Sequence, residues 1–409
     1  MPDKNLMATI LNLDLLQPDT SQGTTALYIH WPFCVSKCPY CDFNSHVRER
    51  INPDEWQKSY ASELAYYKYL LPNRTISSVF FGGGTPSLMP VSLVAFMVET
   101  IKKQWHCVDD IEITLEANPT SVEAEKFAGL AAAGVNRLSL GVQSLRDEAL
   151  SFLGRPHNAM EARGAIELAL RYFPRMSFDL IYARPQQSLK DWETELKEAL
   201  AFGINHLSLY QLTIEQGTPF ARLYDQGRLH MPAEELAGDM YQATAEMLEQ
   251  AGLPRYEISN HAAKGQESRH NLTYWRYGEY IGIGPGAHGR LRLHHEGGLN
   301  AWATRVQRVP ENWAKKLLLQ PVGLDEITHL SEHEQWVEAL MMGLRLAEGV
   351  AIERLNQISL TNNLVLLQSG RLERLQQEGL LWVNEQHITA TDEGMTRLNG
   401  LLKYMLESY

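Results

Sequence analysis

From Thr24 onward the chain is punctuated by short apolar, β-rich runs: Ala26 to Trp31, Ser78 to Phe81, Ile111 to Ala117, Arg137 to Val142, Phe178 to Tyr182 and His206 to Leu212. Helix-like segments separate them. The clearest predicts a helix over Pro53 to Leu71, because Trp56, Tyr60, Leu64, Tyr67 and Leu71 recur at three- and four-residue spacing on one face. Asn52 ahead of Pro53, with Glu55 in the first turn, is a start signal. A further helix is expected after Thr120, with Glu123 completing a capping box and Gly134 ending it. Strand and helix alternate six times, and the strand runs read as apolar on both parities. That is the pattern of a parallel sheet with helices on its faces, either doubly wound or an incomplete version of the eight-stranded barrel.

The rhythm breaks at Pro232. A helix to Gly252, a strand-like Tyr256 to Asn260 and a stretch rich in Gly, His and aromatics from His270 to Gly298 follow. The last hundred or so residues read as mostly helical, and from Arg371 a helix, a short hairpin and another helix outline a small winged-helix-like domain. The expected division is a loose extension over 1–23, an α/β partial barrel over 24–231, a transition segment over 232–300 and a helical, winged-helix-like domain over 301–409.

Charge and cysteine usage narrow the function. Lys+Arg 37 against Asp+Glu 49 give a net charge of −12 with no strongly basic stretch, so nucleic acid is not an expected partner. No apolar run approaches the roughly 18 residues of a membrane span. The start carries Asp3 and Asp14 and does not read as a signal peptide. Of four cysteines, three fall within eight positions, which suits a reduced compartment and a metal better than a disulfide framework.

Those three, Cys34, Cys38 and Cys41, form a C-x3-C-x2-C array directly after the first expected strand. Three thiolates on one loop favour a soft metal. One reading is a [4Fe-4S] cube with one iron free of protein ligand; the other is a zinc site completed by His30 or His46. Cys107 reads as an ordinary helix-end residue. Gly82-Gly83-Gly84-Thr85 follows the second strand, where missing Cβ atoms allow a tight turn or close approach to a ligand. Glu116, Gln143 and Asp179 sit on three successive strands, placing polar side chains near the C-terminal mouth where such folds keep their sites.

The cysteine array, with Pro39-Tyr40 before its last member, resembles the radical S-adenosylmethionine superfamily. YIHWPFC, FFGGGTPS, LEANP, RLSLGVQS, GRPHN and FDLIY are similar, as a set, to the oxygen-independent coproporphyrinogen III oxidases and to their relatives, the haem chaperones of the HemW type. The resemblance runs from about Leu27 through the C-terminal domain. It implies a partial (βα)6 TIM-like barrel, a [4Fe-4S] cluster on Cys34, Cys38 and Cys41, and S-adenosylmethionine chelated to the open iron, where one electron can cleave its sulfonium. It assigns the methionine end to Gly83, Gly84 and Thr85, and the nucleoside and methionine groups to Glu116, Gln143 and Asp179, with Arg155 nearby and Tyr28 beside the cluster. In DLIYARPQQS the chain departs from the Gly-Leu-Pro-Gly-Gln usual in relatives, with Ala183, Arg184 and Gln186 at the first, second and fourth positions.

Two features separate oxidase from chaperone. The oxidases carry a fourth cysteine two positions after the third, where this chain has Phe43. The chaperones carry a His-Asn-x-x-Tyr-Trp motif, present here as His270, Asn271, Tyr274 and Trp275. An imidazole can bind haem iron axially while aromatics pack on the porphyrin, although a lone His in such a stretch also serves as a hydrogen-bonded structural residue. His288 in GIGPGAHG is a candidate second ligand, or part of a structural glycine turn. The resemblance thus implies a cytoplasmic haem chaperone without coproporphyrinogen dehydrogenase activity. Its partners would be haem and apo-haemoprotein acceptors, with transient membrane association and a homodimer.

Overall fold

The structure, a computed structural model, describes residues 13–48, 51–295 and 298–406. All six expected strands form, as β1 (Gly23–Trp31), β2 (Arg74–Gly83), β3 (His106–Ala117), β4 (Arg137–Gln143), β5 (Arg175–Tyr182) and β6 (His206–Gln211). They lie side by side in chain order and parallel. The longer connecting helices are α1 (Pro53–Leu70), α2 (Val91–Gln104), α3 (Ala159–Tyr172) and α4 (Leu189–Leu200). The sheet never closes: β7 (Asn260–Ala262) pairs antiparallel with β6. At the other edge β1 is followed by β8 (Tyr280–Ile283), β9 (His288–His295), β10 (Gly298–Val306) and β11 (Leu324–Leu330), making eleven strands in all. This is the expected partial barrel.

The strands are not apolar on both parities, as the sequence suggested. Leu115, Leu138, Leu140, Phe178, Leu180, Leu207 and Leu209 are buried on one parity, against the helices. The other parity carries Thr114 and Glu116, Ser139 and Gln143, Ser177 and Asp179, and Ser208 and Tyr210. Both faces are covered, but only the outer one is an oil-like core; the inner one is polar because it lines a ligand-sized hollow. In α1, Asn52 Oδ1 accepts the Asp54 N–H at 3.2 Å, as its sequence signal implied. Trp56, Tyr60, Leu64, Tyr67 and Leu70 are buried together with Trp31 and Trp313.

Three expectations need correction. The helix after Thr120 is broken into Ser121–Ala124 and Phe127–Ala132. Thr120 caps it at 3.3 Å, but the Glu123 carboxylate accepts from Asn118 N at 2.9 Å, from Ser87 Oγ and from the Thr120 hydroxyl instead of from the Thr120 N–H, so no capping box closes. Of the extension expected to be loose, residues 1–12 lie outside the described residues, whereas Leu16 is buried and Asp19 pairs with Arg74 at 2.9 Å. The boundary at 301 falls inside β10, and the main sheet continues to Leu330.

A second hydrophobic core starts with α7 (Glu332–Gly343) and gathers Trp336, Leu340, Leu355, Leu366, Leu381, Ile388 and Leu402. Its elements are β12 (Val350–Ala351), α8 (Ile352–Gln368), α9 (Arg371–Gln377), β13 (Leu381–Val383), β14 (His387–Ala390), α10 (Asp392–Thr396) and α11 (Leu398–Leu406). The helix, hairpin and helix read from Arg371 are α9, β13–β14 and α10. The helix expected to end at Gly252 is α5 (Glu234–Gln250).

Candidate functional site

The cysteine loop leaves the C-terminal end of β1 and is fastened at its base. Phe33–Cys34 pairs with His46–Val47, and His46 N donates to Pro32 O at 2.7 Å. Asn44 anchors it to the segments that follow β8 and β10, its Nδ2 donating to Pro285 O and Arg308 O, both at 2.9 Å. The Asn44 carbonyl can only accept, so His30 Nε2 donates to it at 2.9 Å, which leaves His30 Nδ1 to accept from the Tyr28 hydroxyl at 2.9 Å. Burial pulls His30 down to about 4, so the ring is neutral and its tautomer fixed. With both nitrogens used, His30 cannot complete a zinc site. Among the described residues no three His, Cys, Asp or Glu side chains converge as a single ion requires. Three free thiols on one loop are a donor set that a multi-iron cluster takes, one cysteine to each of three irons.

The glycines after β2 explain how the loop sits so close. A Cβ on Gly83, whose φ is +117°, would meet His30 Cε1 at 2.6 Å, and one on Gly84 would meet Phe33 O at 2.7 Å. Their bareness admits the cysteine loop itself, bringing Thr85 Oγ1 within 3.4 Å of Cys34 Sγ, to which it donates. Arg155 Nη1 donates to Cys38 Sγ at 3.3 Å, placing a buried cation beside the thiol. Burial pushes the Cys34 and Cys41 thiols up.

Together these groups open into a cavity of about 1400 Å³, lined by all three cysteines and by Gly83, Gly84, Thr85, Glu116, Gln143, Arg155 and Asp179. It is larger than the roughly 300–1,000 Å³ of a typical small-molecule site. Burial and the Asp179 charge push Glu116 up to about 8, partly offset by the Gly83 N–H donating to it at 3.1 Å. Burial pushes Asp179 up to about 6, against the pull of Ser208 and of Arg137 and Arg155. Asp179 Oδ1 and Arg155 Nε are buried without a partner. Gln143 holds a left-handed φ of 69°, a strain that persists in folded proteins mostly at functional sites. An amphiphilic cation carrying an amine, a carboxylate and hydroxyls is the kind of ligand such orphaned donors and acceptors fit.

Tyr28 lies outside this lining. It stands beside the stacked rings of Phe80 and His270, with centroids 6.3 and 6.4 Å away, and its hydroxyl reaches toward the cysteine loop through His30. Asn118 was missed by sequence reasoning although it lies in the LEANP stretch. It donates to Thr85 Oγ1 at 3.2 Å and accepts from Arg155. Tyr210, Tyr241, Arg397 and Asn399 also line the cavity without any local signal.

The His270 motif is elsewhere. It forms α6 (Arg269–Trp275), capped by Ser268 Oγ accepting Asn271 N at 3.3 Å. The helix closes the opposite, N-terminal end of the strands, where the N–H groups of Arg269 and His270 donate to Glu112 at 3.2 and 3.1 Å. His270 is 1% exposed. Its Nδ1 pairs with Ser78 Oγ at 2.9 Å, its Nε2 with Tyr274 Oη at 2.6 Å, and its ring stacks on Phe80 at 5.0 Å. Burial pulls it down to about 3. The expectation of a ring nitrogen open to haem iron is therefore not met in this conformation: core hydrogen bonds occupy both. Trp275 packs under the Arg345 guanidinium at 5.9 Å. His288 is exposed at the start of β9 and outside the cavity. Gly284 and Gly286 form the structural turn, at φ of 86° and 82°, against His30 O and Asn44.

The Radical SAM superfamily profile matches residues 28–199, and the HemN C-terminal domain matches residues 330–396, beginning where the second core begins. The chain is 39% identical over 393 residues to the mitochondrial radical S-adenosyl methionine domain-containing protein 1 of Bos taurus, covering 95% of this chain and 89% of the relative. It is 36% identical over 388 residues to the heme chaperone HemW of Haemophilus influenzae, covering 93% of this chain and 97% of the relative. In fold it resembles the coproporphyrinogen III oxidase HemN from Escherichia coli, with a TM-score of 0.78 at 20% identity, covering 98% of this chain and 92% of that one.

Proposed function

The chain belongs to the family of the heme chaperone HemW within the radical SAM superfamily, and we propose that it binds haem and passes it to apo-haemoproteins, using a [4Fe-4S] cluster and S-adenosylmethionine. The observation that carries the proposal is near full-length similarity to HemW combined with Phe43, exposed at the cavity wall where the oxidases have their fourth cysteine. Cys34, Cys38 and Cys41 would hold the cluster. Gly83, Gly84 and Thr85 would meet the methionine end of S-adenosylmethionine, and Glu116, Gln143, Arg155 and Asp179 its charged and hydroxyl groups. When bound, the pair supplies one-electron chemistry at the sulfonium. The chain's own residues orient it. Arg155 steadies the Cys38 sulfur and the Asn118 carbonyl, Glu116 holds the Gly83 turn, and Tyr28 acts at one remove by fixing the His30 tautomer.

Haem is cargo. Ligation by His270 requires the Tyr274 hydroxyl to yield Nε2 to iron, so haem capture at His270, Asn271, Tyr274 and Trp275 entails a rearrangement of α6. A cytoplasmic location, a homodimer and transient membrane contact with acceptors belong to the same proposal. No helix among the described residues is long and apolar enough to cross a membrane. The test is a haemin titration of the reconstituted protein, reading the Soret band and the cluster absorption together. His270→Ala should weaken haem binding at least tenfold with the cluster band unchanged. Unchanged haem binding removes the motif from the proposal. Vinyl formation from coproporphyrinogen III, supplied with reductant and S-adenosylmethionine, removes the chaperone-only reading.

A further inference from the structure

Beside α6, on the side away from the His270 ring's partners, lies a small hollow of about 210 Å³ bounded by Ser77, Arg269, Thr273, Arg276, Glu279 and Arg354. Three guanidinium groups converge there. Two are matched: Arg269 pairs with Asp110 at 2.5 Å and Arg276 with Glu348 at 2.7 Å. Glu279 is already committed to Arg74 at 2.9 Å and to the Arg292 N–H at 2.9 Å. Arg354 is different. Among the described residues it forms no salt bridge, its Nε is buried without a partner, and its Nη2 donates to Tyr277 O at 2.7 Å. Arg292 Nη2 donates to that same oxygen at 2.8 Å, so two like charges share one acceptor. The residue bearing it, Tyr277, is held at a left-handed φ of 51°. Burial and the neighbouring Arg292 and Arg276 pull Arg354 down to about 10, the direction expected of a cation lacking its counter-ion.

We propose that this hollow is a carboxylate site, and that the carboxylate it takes is a propionate of haem seated against α6. A planar carboxylate in the hollow supplies the counter-ion that the Arg354 guanidinium lacks and relieves the Arg354–Arg292 repulsion, while the Ser77 and Thr273 hydroxyls, already donating to Thr25 O and Arg269 O, add no donor. The proposal rests on the haem-chaperone reading and deepens it: the motif helix carries an imidazole on its inner side and a propionate anchor at its edge. The hollow admits one carboxylate group, not a whole tetrapyrrole, so the macrocycle lies outside it.

The test titrates the full-length chain with haemin and with haemin dimethyl ester, whose propionates are capped, following the Soret band. The wild type should prefer haemin about tenfold, the value of one charge-assisted contact. Arg354→Gln should abolish the preference without changing ester affinity, and Arg354→Lys should keep most of it. Arg276→Gln, which leaves the Tyr277 contact intact, should reduce the preference too, and denaturation midpoints confirm that the variants are folded. A preference unchanged in Arg354→Gln, or absent in the wild type while haemin still binds, overturns the propionate site and leaves the chaperone reading standing. No specific binding of either tetrapyrrole overturns both. Inorganic phosphate that stabilises the wild type but not Arg354→Gln, without competing against haemin, assigns the hollow to a free anion and overturns the propionate assignment.

Discussion

The two ends of the parallel strands solve opposite problems with similar residues. At the N-terminal end Glu112 is fully used, accepting from Arg175 at 2.7 Å and from two α6 N–H groups, and both nitrogens of His270 are paired. At the C-terminal end Asp179 Oδ1 and Arg155 Nε are left unpaired, Glu116 is pushed up to about 8, and Gln143 is strained. Polar residues on an inner face therefore mean structure where their hydrogen bonds close among themselves. They mean a ligand where those bonds stay open. The largest expected effect tests the open end. Cys38→Ala should abolish the iron-sulfur absorption after anaerobic reconstitution while the denaturation midpoint of the cluster-free protein stays unchanged. A normal cluster spectrum in that variant would break the assignment of the loop.

The closed end should respond in the reverse way. Glu112→Ala leaves Arg175 half-buried without its carboxylate and strips the acceptor from the start of α6. A loss of about 3 kcal/mol is expected, as for other broken buried pairs. Cluster formation in the folded fraction should be normal. Urea denaturation and the cluster spectrum, measured together, decide this. A variant of unchanged stability would show that Glu112 does not hold the plug.

A smaller effect, with a sign set by linkage, is expected at Glu116. Its folded pKa of about 8 lies above the unfolded value of roughly 4.3. The folded state therefore holds the proton more tightly. That stabilisation is present below about pH 4 and lost as pH rises through about 8. Glu116→Gln removes the ionisable group but keeps an acceptor for the Gly83 N–H. The variant should gain of order 2 kcal/mol over the wild type at pH 8.5 and clearly less at pH 5, while S-adenosylmethionine binding weakens. A gain that is the same at both pH values would mean that Glu116 is not ionised by burial-limited titration in the folded protein.

Much of this contrast was legible in the sequence, and the illegible parts have physical causes. The six strands were found as short apolar runs, although only their outer parity forms the oil-like core, and the cavity was found because Glu116, Gln143 and Asp179 sit on three successive strands. The extension of the sheet was missed. In β9 leucines alternate with arginine and histidine, and in β11 only Leu324, Ile327 and Leu330 are apolar, so those segments lack the apolar runs that marked β1 to β6. Asn118, Tyr210 and Arg397 reach the cavity from separate parts of the chain, a convergence no local pattern encodes. The His270 motif reads as a binding signature, and spacing alone does not reveal that in this conformation Ser78 and Tyr274 occupy both of its ring nitrogens, so that capture of haem there entails their release.

The smallest effect separates strain that serves the site from strain that does not. Where relatives usually have the two glycines of Gly-Leu-Pro-Gly-Gln, Ala183 and Gln186 sit at left-handed φ values of 53° and 62°. The departure noted in the sequence thus preserves the glycine geometry without the glycine. Arg184 between them pairs with Glu195 at 2.5 Å and with Ser144 at 2.6 Å, which helps to hold the loop in place. A left-handed L-residue costs about 1–2 kcal/mol, and glycine recovers most of that, less its greater unfolded-chain entropy. Ala183→Gly should therefore stabilise by roughly 0.5–1 kcal/mol with ligand binding untouched. Gln143→Gly relieves the same kind of strain but removes a side chain from the cavity wall. It should stabilise by a similar amount while weakening S-adenosylmethionine binding. If Gln143→Gly left binding intact, the strain at the end of β4 would be as incidental as that at Ala183, and the open end would owe its character to Asp179, Arg155 and Glu116 alone.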